Sequence, residues 1–398
     1  MLTILNNKYL VLFTLLMVLI SCVEPFEIKS ESFDDFIVIE AKLTDEIKFQ
    51  EVKLSRTFKL DYGVPIAEEN ATVKIIDDEG MVHDFEEAEA GIYISKIEFK
   101  AKLNVVYKLS VTTSSGRKYM SKPITMPNGD VLDFKLEAKK RINNSDPEGI
   151  SIYYESTGTG NENSNYFRYE YIETYKIIAP YWFGEKLVIN DDGTFSQVVK
   201  DNEDGRICYG SKKSNEVILK NASEFQGNKV ETFVIKFNPK GKAEIQHRYS
   251  LLVKQHLISR EAYVYYETLK NFSESESLFS ENQPGLVIGN LFSEDNPNET
   301  VIGFFDISKV LSKRVYFNYV DFFERESLIP YFQECVLTAP SINSNDMQEL
   351  SFAEMLNQGL VVFYAENFGV GGPYQVIPRN CGECSQLGDI GAPYFWEE

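Results

Sequence analysis

Four cysteines in the second half of the chain, Cys208, Cys335, Cys381 and Cys384, are the residues whose type and spacing allow the most chemistry. In an exported protein an even number of cysteines predicts disulfides, and four cysteines allow three pairings. The spacing Cys381-Gly-Glu-Cys384 also suits zinc, but a strong zinc pattern needs a second closely spaced pair. A redox pair of the thioredoxin kind would open a helix after a strand, whereas this pair lies among glycines and prolines. We therefore expect one or two structural disulfides and no metal site, with zinc binding and free thiols as the alternatives.

Cys22 allows a different chemistry, because it ends an apolar segment. Lys8 precedes an apolar run from Tyr9 to Ile20, which has the length of a secretory signal and is short for a membrane-spanning helix. Leu19-Ile20-Ser21-Cys22 resembles the bacterial lipobox, in which the cysteine thiol takes a diacylglycerol and cleavage frees its amine for a further acyl chain. Several acyl chains anchor a protein firmly. The sequence predicts a lipoprotein signal peptide over 1–21 and lipidation at Cys22, with a plain transmembrane anchor as the alternative.

Histidines and carboxylates show no arrangement that is typical of catalysis. The chain has three histidines, His83, His247 and His256, and it contains no HExxH, GxSxG or phosphate-binding glycine loop. We interpret the histidines as surface or core residues. Gly369-Val-Gly371-Gly372 lacks the third glycine of a dinucleotide motif and is interpreted as a flexible turn. A hydrolase with a hidden pair of carboxylates is a third-ranked hypothesis. We expect a protein that is not an enzyme and uses no cofactor.

Charge and composition exclude some partners. The 398 residues include 60 acidic and 40 basic ones, which gives a net charge of −20. Nucleic-acid binding needs basic surface, and so does adsorption on anionic lipid, so we expect neither. A membrane link would run through the lipid at Cys22. An aromatic content of 13% favours strands.

Apolar and polar residues alternate with period two from about residue 30 to 126, which is typical of half-buried strands. Glycine-containing turn signals at 78–80 and 114–116 separate the runs. The sequence predicts an immunoglobulin-like β-sandwich over residues 36–126, joined to the anchor by a linker over 22–35. The residues expected to point inward are Ile37, Ile39, Ala41, Leu43, Val52, Leu54, Val73, Ile75, Ile92, Ile94, Tyr107, Leu109 and Val111.

Met126-Pro127-Asn128-Gly129 marks a break, after which residues 127–398 are predicted to form a larger β-rich domain with two or more short helices. The aromatic run from Tyr166 to Trp182 is interpreted as a strand in a sheet core, with a stacking platform for sugars or bases as the alternative. Ser259 can cap a helix to about Lys270, and Ser351-Phe-Ala-Glu354 is a capping box for a helix ending at Gly359. Polar segments predicted to be long surface loops are 141–149, 158–165, 189–206 and 271–283.

Several stretches together resemble the Bacteroidota lipoprotein family known as domain of unknown function 4249. They are Cys22-Val-Glu-Pro-Phe26, Tyr249 to Gln255, Ser259 to Tyr263, Tyr265 to Leu269, Ser277-Leu-Phe279, Pro284, Gly289-Asn290, Gly303-Phe-Phe305, Lys313-Arg314, Cys381-Gly-Glu-Cys384, Gly388 and Pro393-Tyr-Phe-Trp396. Glu281-Asn-Gln283 stands where an Asp-Pro-rich turn is usual in the family. No activity of the family transfers residue by residue. The resemblance implies a partnership with TonB-dependent outer-membrane receptors, which members of the family tend to accompany.

Two function hypotheses follow from these observations. The first is a lipid-anchored outer-membrane accessory protein that partners a TonB-dependent receptor in substrate capture or uptake. Glu24 and Glu27 resemble the acidic export signals of Bacteroidota lipoproteins and favour the outer face of that membrane. The alternative is a free-standing lipoprotein for adhesion, which binds glycans or proteins through its loops.

Overall fold

Strands make up 50% and helices 10% of the chain that the structure, a computed structural model, describes. The mostly β fold class with short helices is thereby confirmed. Within the described residues, no helix is both long and apolar enough to cross a membrane. The predicted signal peptide, Cys22 and most of the predicted linker lie outside those residues. The described ranges are 35–57, 65–143, 146–156, 165–200, 205–222, 232–274, 287, 289–324, 328, 331, 334–342 and 350–398.

The first third of the chain forms nine strands. They are β1 (Ile37–Thr44), β2 (Glu51–Arg56), β3 (Ile66–Ala67), β4 (Thr72–Asp77), β5 (Val82–Glu89), β6 (Ile92–Ser95), β7 (Val106–Thr112), β8 (Lys118–Ser121) and β9 (Ile124–Thr125). The predicted inward residues of β1, β2, β4 and β7 are buried in one core, which confirms the alternation for these strands.

The inward face of β6 differs from the prediction. Tyr93 is 1% exposed, whereas Ile92 and Ile94 are only half-buried on the opposite face. The Tyr93 hydroxyl donates to the Glu68 carbonyl (2.8 Å) and accepts from the Ala71 amide (2.9 Å). A tyrosine can replace isoleucine as the core residue here because the backbone of the neighbouring turn satisfies its hydroxyl.

The remainder of the chain forms fourteen strands, three α-helices and two short 3-10 helices within the described residues. The strands are β10 (Phe134–Asn143), β11 (Asp146–Ser156), β12 (Tyr166–Ile178), β13 (Glu185–Ile189), β14 (Phe195–Val199), β15 (Ile207–Lys213), β16 (Ile218–Asn221), β17 (Thr232–Pro239), β18 (Arg248–Leu257), β19 (Leu291–Ser293), β20 (Ile302–Asn318), β21 (Val361–Glu366), β22 (Tyr374–Pro378) and β23 (Asp389–Ile390). The helices are α1 (Arg260–Glu274), α2 (Phe352–Asn357) and α3 (Arg379–Gly382), and the 3-10 helices are Ala243–Ile245 and Tyr319–Asp321.

Both predicted helices are present. The Ser259 hydroxyl accepts from the Ala262 amide (3.1 Å) at the start of α1, which extends past the predicted end to Glu274. Ser351 and Glu354 form the predicted capping box of α2.

The loop predictions are partly wrong. Segment 141–149 belongs largely to the paired strands β10 and β11, and segment 189–206 contains β14, which pairs with β13. Polar residues are common on the exposed face of a strand, so polarity alone does not distinguish a hairpin from a loop. Segments 158–165 and 271–283 lie mostly outside the described residues.

One sixteen-stranded sheet connects the two halves of the chain, in the order β19-β8-β7-β4-β5-β6-β2-β1-β20-β18-β12-β15-β23 with β3, β9 and β16 beside this path. Strand β20 joins the N-terminal strands of this sheet to the later ones. Residues 302–308 of β20 pair in parallel with β1, and residues 309–318 pair antiparallel with β18. The sheet therefore runs without interruption from the first strand of the chain into the second half.

Two cores lie on one face of this sheet. The first is enclosed by the N-terminal strands and also contains Leu291, Val301, Phe305 and Ile307. The immunoglobulin-like arrangement of this part, and the boundary at residue 126, remain predictions. In the second core, the three-stranded sheet β10-β11-β17 packs against β12, β18 and the end of β20.

The aromatic run belongs to the second core. Phe167, Tyr169 and Tyr171 of β12 are 0%, 1% and 3% exposed. Tyr154 and Phe233 of the facing sheet meet the Tyr169 ring edge-on, with ring centroids 5.0 and 5.3 Å away. The sheet-core interpretation is confirmed, because this aromatic face has no room for a stacked ligand.

Candidate functional site

The four cysteines of the second half are joined in two disulfides. Cys208 pairs with Cys384 and Cys335 pairs with Cys381, with S–S distances of 2.07 and 2.03 Å. Of the three alternatives for these cysteines, disulfides, zinc binding and free thiols, the structure shows disulfides. No group of three or more metal-ligating side chains occurs among the described residues.

The disulfides hold together a lobe at the end of β12. This disulfide-bonded lobe consists of residues 179–200, 334–342 and 350–392. The Tyr181 amide donates to the Cys381 carbonyl (3.1 Å), and the Phe183 and Phe363 rings meet edge-on at 5.6 Å. Two separate hairpins, β13–β14 and β21–β22, are thus attached to one end of the main sheet.

The strand registers place this lobe far from the start of β1. Val38 of β1 is level with Ile302, the first residue of β20. The last residue of β20, Asn318, pairs with Arg248 at the start of β18, and the next residue of β18, Tyr249, pairs with Tyr175 near the end of β12. At about 3.3 Å per residue, the 17 residues of β20 span roughly 50 Å. The start of β1 and the disulfide-bonded lobe therefore lie at opposite ends of the sheet.

A network of charged residues lies where β1, β20, β18 and β12 run side by side, on the face opposite the cores. We call it the junction network, and its members are Lys42, Arg168, Glu170, His256 and Asp306. Lys42 is paired in register with Asp306, and Arg168 with His256. Arg168, His256 and Asp306 are 4%, 3% and 2% exposed. The network thus connects the N-terminal part of the sheet to its C-terminal part inside the protein.

Glu170 is the centre of the junction network. Its carboxylate forms an ion pair with Arg168, lies 2.8 Å from the Lys42 Nζ atom, and lies 3.4 Å from the His256 Nε2 atom. The other ring nitrogen of His256, Nδ1, is 3.1 Å from the Ser308 hydroxyl. A single carboxylate therefore joins side chains from three strands.

The two carboxyl groups of the network have pKa values shifted in opposite directions. Burial alone would raise the pKa of Glu170, but Arg168, His256 and Lys42 outweigh it and hold that pKa well below the usual range. Burial raises the pKa of Asp306 against the pull of Arg168 and Lys42. Such a divergence also separates the acid from the base in hydrolases, but those groups face a substrate cleft. Here Asp306 is buried, and Glu170, whose side chain is 33% exposed, is engaged by Arg168, Lys42 and His256, so the arrangement joins neighbouring strands.

Helix α1 covers the junction network with aromatic rings. The Tyr266 ring lies against the Arg168 guanidinium, 4.9 Å from centroid to carbon, and Tyr265 and Tyr266 both pack on Phe304. Burial raises the pKa of the Tyr266 hydroxyl well above its usual value. The Tyr266 ring thus covers the Arg168 guanidinium, and a less polar surrounding strengthens the attraction between Arg168 and Glu170.

A second buried ion pair lies beside the second core, between β12 and β17. Glu173 of β12 lies 2.8 Å from the Lys236 Nζ atom of β17 and accepts a hydrogen bond from the Tyr249 hydroxyl (2.6 Å). Lys236 also donates to the Tyr171 hydroxyl (3.1 Å). This cluster connects the three-stranded sheet to the main sheet.

The other two histidines, His83 and His247, lie outside the junction network. His83 stacks on Phe99 with ring centroids 3.7 Å apart, and its Nε2 atom is 4.0 Å from Asp77. Burial lowers the pKa of both His83 and His247. His256 lies within β18, which is longer than the strand predicted from Tyr249 to Lys254.

The turn between β21 and β22 presents two apolar side chains to solvent. We call residues 367–373 the apolar loop. Phe368 and Val370 in this loop are 93% and 102% exposed. The Asn367 side chain crosses the loop, donating to the Val370 carbonyl (3.2 Å) and the Gly372 carbonyl (2.7 Å) and accepting from the Gly369 amide (3.1 Å). The predicted turn is present, but hydrogen bonds of the Asn367 side chain hold its backbone, so the prediction that this turn is flexible is not borne out.

Sequence reasoning missed both the junction network and the apolar loop. Arg168 and Glu170 alternate with aromatic residues, a pattern that places them on the opposite face of the strand but does not show whether that face is covered. Helix α1 covers that side, and only tertiary structure shows this. A detectable signal for the apolar loop was Asn367-Phe-Gly-Val-Gly-Gly-Pro373, in which turn residues surround two large apolar ones.

Comparison with known proteins gives one family match. A family model described as Domain of unknown function (DUF4249) matches residues 23–314. No curated protein is significantly similar to the chain. A similar solved structure is that of a DUF4785 family protein from Legionella pneumophila subsp. pneumophila str. Philadelphia 1, with 9% sequence identity and a TM-score of 0.17. The match covers 54% of this chain and 50% of that one, so the chain spans about half the length of the protein it matches.

Proposed function

The chain belongs to the DUF4249 family, and from this premise we propose that it is a lipid-anchored accessory protein of the outer membrane. In this proposal Cys22 carries the lipid and the protein faces the exterior. It partners a TonB-dependent receptor in the capture or uptake of a substrate.

The observation that carries the proposal is that the start of β1 and the disulfide-bonded lobe lie at opposite ends of the main sheet. The tether would join the protein at the start of β1, and the disulfide-bonded lobe lies at the other end of β20, roughly 50 Å away. A protein held by its N-terminus would then carry this lobe away from its own lipid anchor. That geometry suits a protein whose task is to contact a partner that projects from the membrane.

Two further features support an exported, membrane-tethered location. Disulfides such as Cys208–Cys384 and Cys335–Cys381 persist in oxidising compartments outside the cytoplasm. The net charge of −20 opposes adsorption on anionic lipid, so a covalent lipid would supply the membrane affinity.

The proposal includes a non-enzymatic role. Two carboxylates of β12, Glu170 and Glu173, are engaged in ion pairs with Arg168 and Lys236. Buried ion pairs of this kind hold elements in place rather than meet a substrate.

The anchor is tested by Cys22→Ala. We expect the wild-type protein to stay in the membrane fraction after a high-salt wash and the variant to be released, because the thiol is the atom that takes the lipid. A variant that stays in the membrane would contradict lipid anchoring.

The partnership is tested by detergent solubilisation and affinity recovery of the tagged, full-length protein. We expect a TonB-dependent barrel to be recovered with it. The free-standing adhesion alternative predicts instead that ligand binding is unchanged in a strain without the receptor. The face of the aromatic run that carries Phe167, Tyr169 and Tyr171 is buried, so under this alternative the binding site would lie in the loops.

A further inference from the structure

The apolar loop exposes two large apolar side chains to solvent. Single exposed apolar residues are common on proteins, but Phe368 and Val370 stand two residues apart in one turn and are 93% and 102% exposed. Neither side chain covers any part of the protein that carries it. Clusters of this kind mark contact sites when the backbone beneath them is ordered.

The backbone of the apolar loop is held on both sides. Besides the side-chain bonds of Asn367, its amide donates to the Pro373 carbonyl (2.7 Å), and the Gly372 amide donates to the Ala339 carbonyl (2.8 Å). Gly371 has a φ of +110°, and a Cβ atom on Gly372 would lie 1.8 Å from the Pro340 carbonyl oxygen. The loop therefore lies against residues 339–341, which belong to the segment that Cys335–Cys381 joins to the rest of the lobe.

Such an ordered loop suits a binding site, because little conformational entropy is lost when it docks. An aromatic ring on a pre-organised turn is typical of interface residues that contribute most of the binding energy. Phe368 would fill a pocket in the partner, and Val370 would pack beside it.

Charge and position favour a protein partner over lipid. Residues 366–375 contain Glu366 and no lysine or arginine, so the loop has no cation for anionic headgroups. The loop also belongs to the lobe at the end of the sheet opposite the start of β1, where the tether would attach. An apolar pocket with a basic rim complements Phe368, Val370 and Glu366.

We infer that the apolar loop docks into an apolar, basic-rimmed pocket on the extracellular side of the receptor. This inference rests on the proposed function and names the surface through which the protein meets its partner.

The test combines a double variant with site-specific crosslinking in the full-length, membrane-anchored protein. Phe368→Ser with Val370→Ser should reduce recovery of the receptor at least roughly tenfold, the effect of losing an interface anchor. The matched control is Phe49→Ser, which changes a phenylalanine that is 51% exposed in the N-terminal part and should leave recovery within about twofold. Both variants should keep the wild-type unfolding midpoint, because the replaced side chains are exposed.

The crosslinking arm replaces Phe368 by p-benzoylphenylalanine and, as its control, Phe49 by the same residue. After irradiation of whole cells, we expect an adduct with the receptor from position 368 and none from position 49. An adduct with lipid, or with a second copy of this chain, would overturn the inference.

The two proposals fail separately. If the wild-type protein recovers no receptor, the proposed function fails and this inference fails with it. If the wild-type protein recovers the receptor, the double variant recovers it equally well and position 368 forms no adduct with it, the inference alone is wrong.

Discussion

Arg168 is held inside the protein by β12, with its charge balanced by Glu170 and its plane against Tyr266. A buried ion pair of this kind adds little net stability compared with a well-packed apolar pair, but loss of one partner leaves a charge without compensation. The network therefore constrains which strands can pack together more than it increases the stability of the fold.

Arg168→Met is expected to lower the free energy of unfolding by about 3–5 kcal/mol, because it leaves the Glu170 carboxylate without its main counter-charge. The double variant Arg168→Met, Glu170→Leu should recover much of this loss. Urea denaturation measures both. The control is Lys102→Met, which breaks a surface pair with Glu79 whose side chains are 59% and 55% exposed, and should cost far less stability than Arg168→Met does. Equal losses in the single and double variants would contradict the ion-pair account.

His256 makes the network sensitive to acid. Burial lowers the pKa of His256 from its usual 6.5 to about 4, and the nearby charge of Arg168 acts in the same direction while Glu170 opposes it. The folded state thus binds its proton at a lower pH than the unfolded state does. Stability from the neutral imidazole is complete above pH 6.5 and is lost as the pH falls towards 4.

His256→Gln tests this dependence. When the pH falls from 8 to 5, the wild type should lose roughly 2 kcal/mol more of its unfolding free energy than the variant, because only the wild type has the imidazole. Glu170 stays ionised over this range because its pKa is well below the usual one. A constant difference between the two pH values would show that His256 does not titrate as its burial requires.

At the scale of elements, alternation predicts a strand well when one face is buried and the other is solvated. β1, β2 and β7 meet this condition, and their inward residues were predicted correctly. β12 does not, because the three-stranded sheet covers its aromatic face and α1 covers Arg168 and Glu170. Its core was predicted from the aromatic residues, but nothing local indicates that its polar face is also buried.

Long-range pairing is the other limit of sequence reasoning. The parallel pairing of β1 with β20 joins opposite parts of the chain and has no local signature. Likewise, the cysteine count predicts disulfides but leaves three pairings, and only the packing of β15 against the C-terminal segment brings Cys208 to Cys384.

Gly303 lies where the backbone of β20 comes closest to that of β1, and a side chain there would disturb their pairing. Its φ is +125°, and a Cβ atom there would lie 1.9 Å from the Ile39 carbonyl oxygen. Gly303→Ala should therefore cost more than about 2 kcal/mol, from both backbone strain and the contact with β1. Thermal or urea unfolding measures the loss.

Gly116→Ala is the matched control for Gly303→Ala. Gly116 also has a positive φ, +85°, but nothing lies within 4 Å of its Cβ position. This variant should cost about 1 kcal/mol from backbone strain alone. Similar losses at the two positions would mean that close approach of β1 to β20 contributes nothing.

At the scale of the whole molecule, β20 makes the two halves interdependent. It pairs with β1 through residues 302–308 and with β18 through residues 309–318. The N-terminal core also receives Leu291 and Phe305 from the second half, and β19 completes the edge beside β8. The core formed by residues 36–126 is thus completed by side chains from residues 291–307.

A fragment of residues 36–126 is therefore expected to lack a cooperative unfolding transition, although it contains nine strands. Its core would lose the buried side chains of Leu291, Val301, Phe305 and Ile307, and large apolar losses of this kind cost about 2–5 kcal/mol each. A domain of under a hundred residues has only about 5–15 kcal/mol of stability to lose. Circular dichroism during heating measures the transition.

The matched control appends residues 289–308 to the same fragment through a glycine-serine linker. This segment restores β19, the part of β20 that pairs with β1, and all four missing core residues. Cooperative unfolding of the extended fragment, and its absence in the shorter one, would show that the fold closes through β20. Cooperative unfolding of the shorter fragment would show instead that the N-terminal strands form an autonomous domain, so that β20 merely attaches the disulfide-bearing half to it.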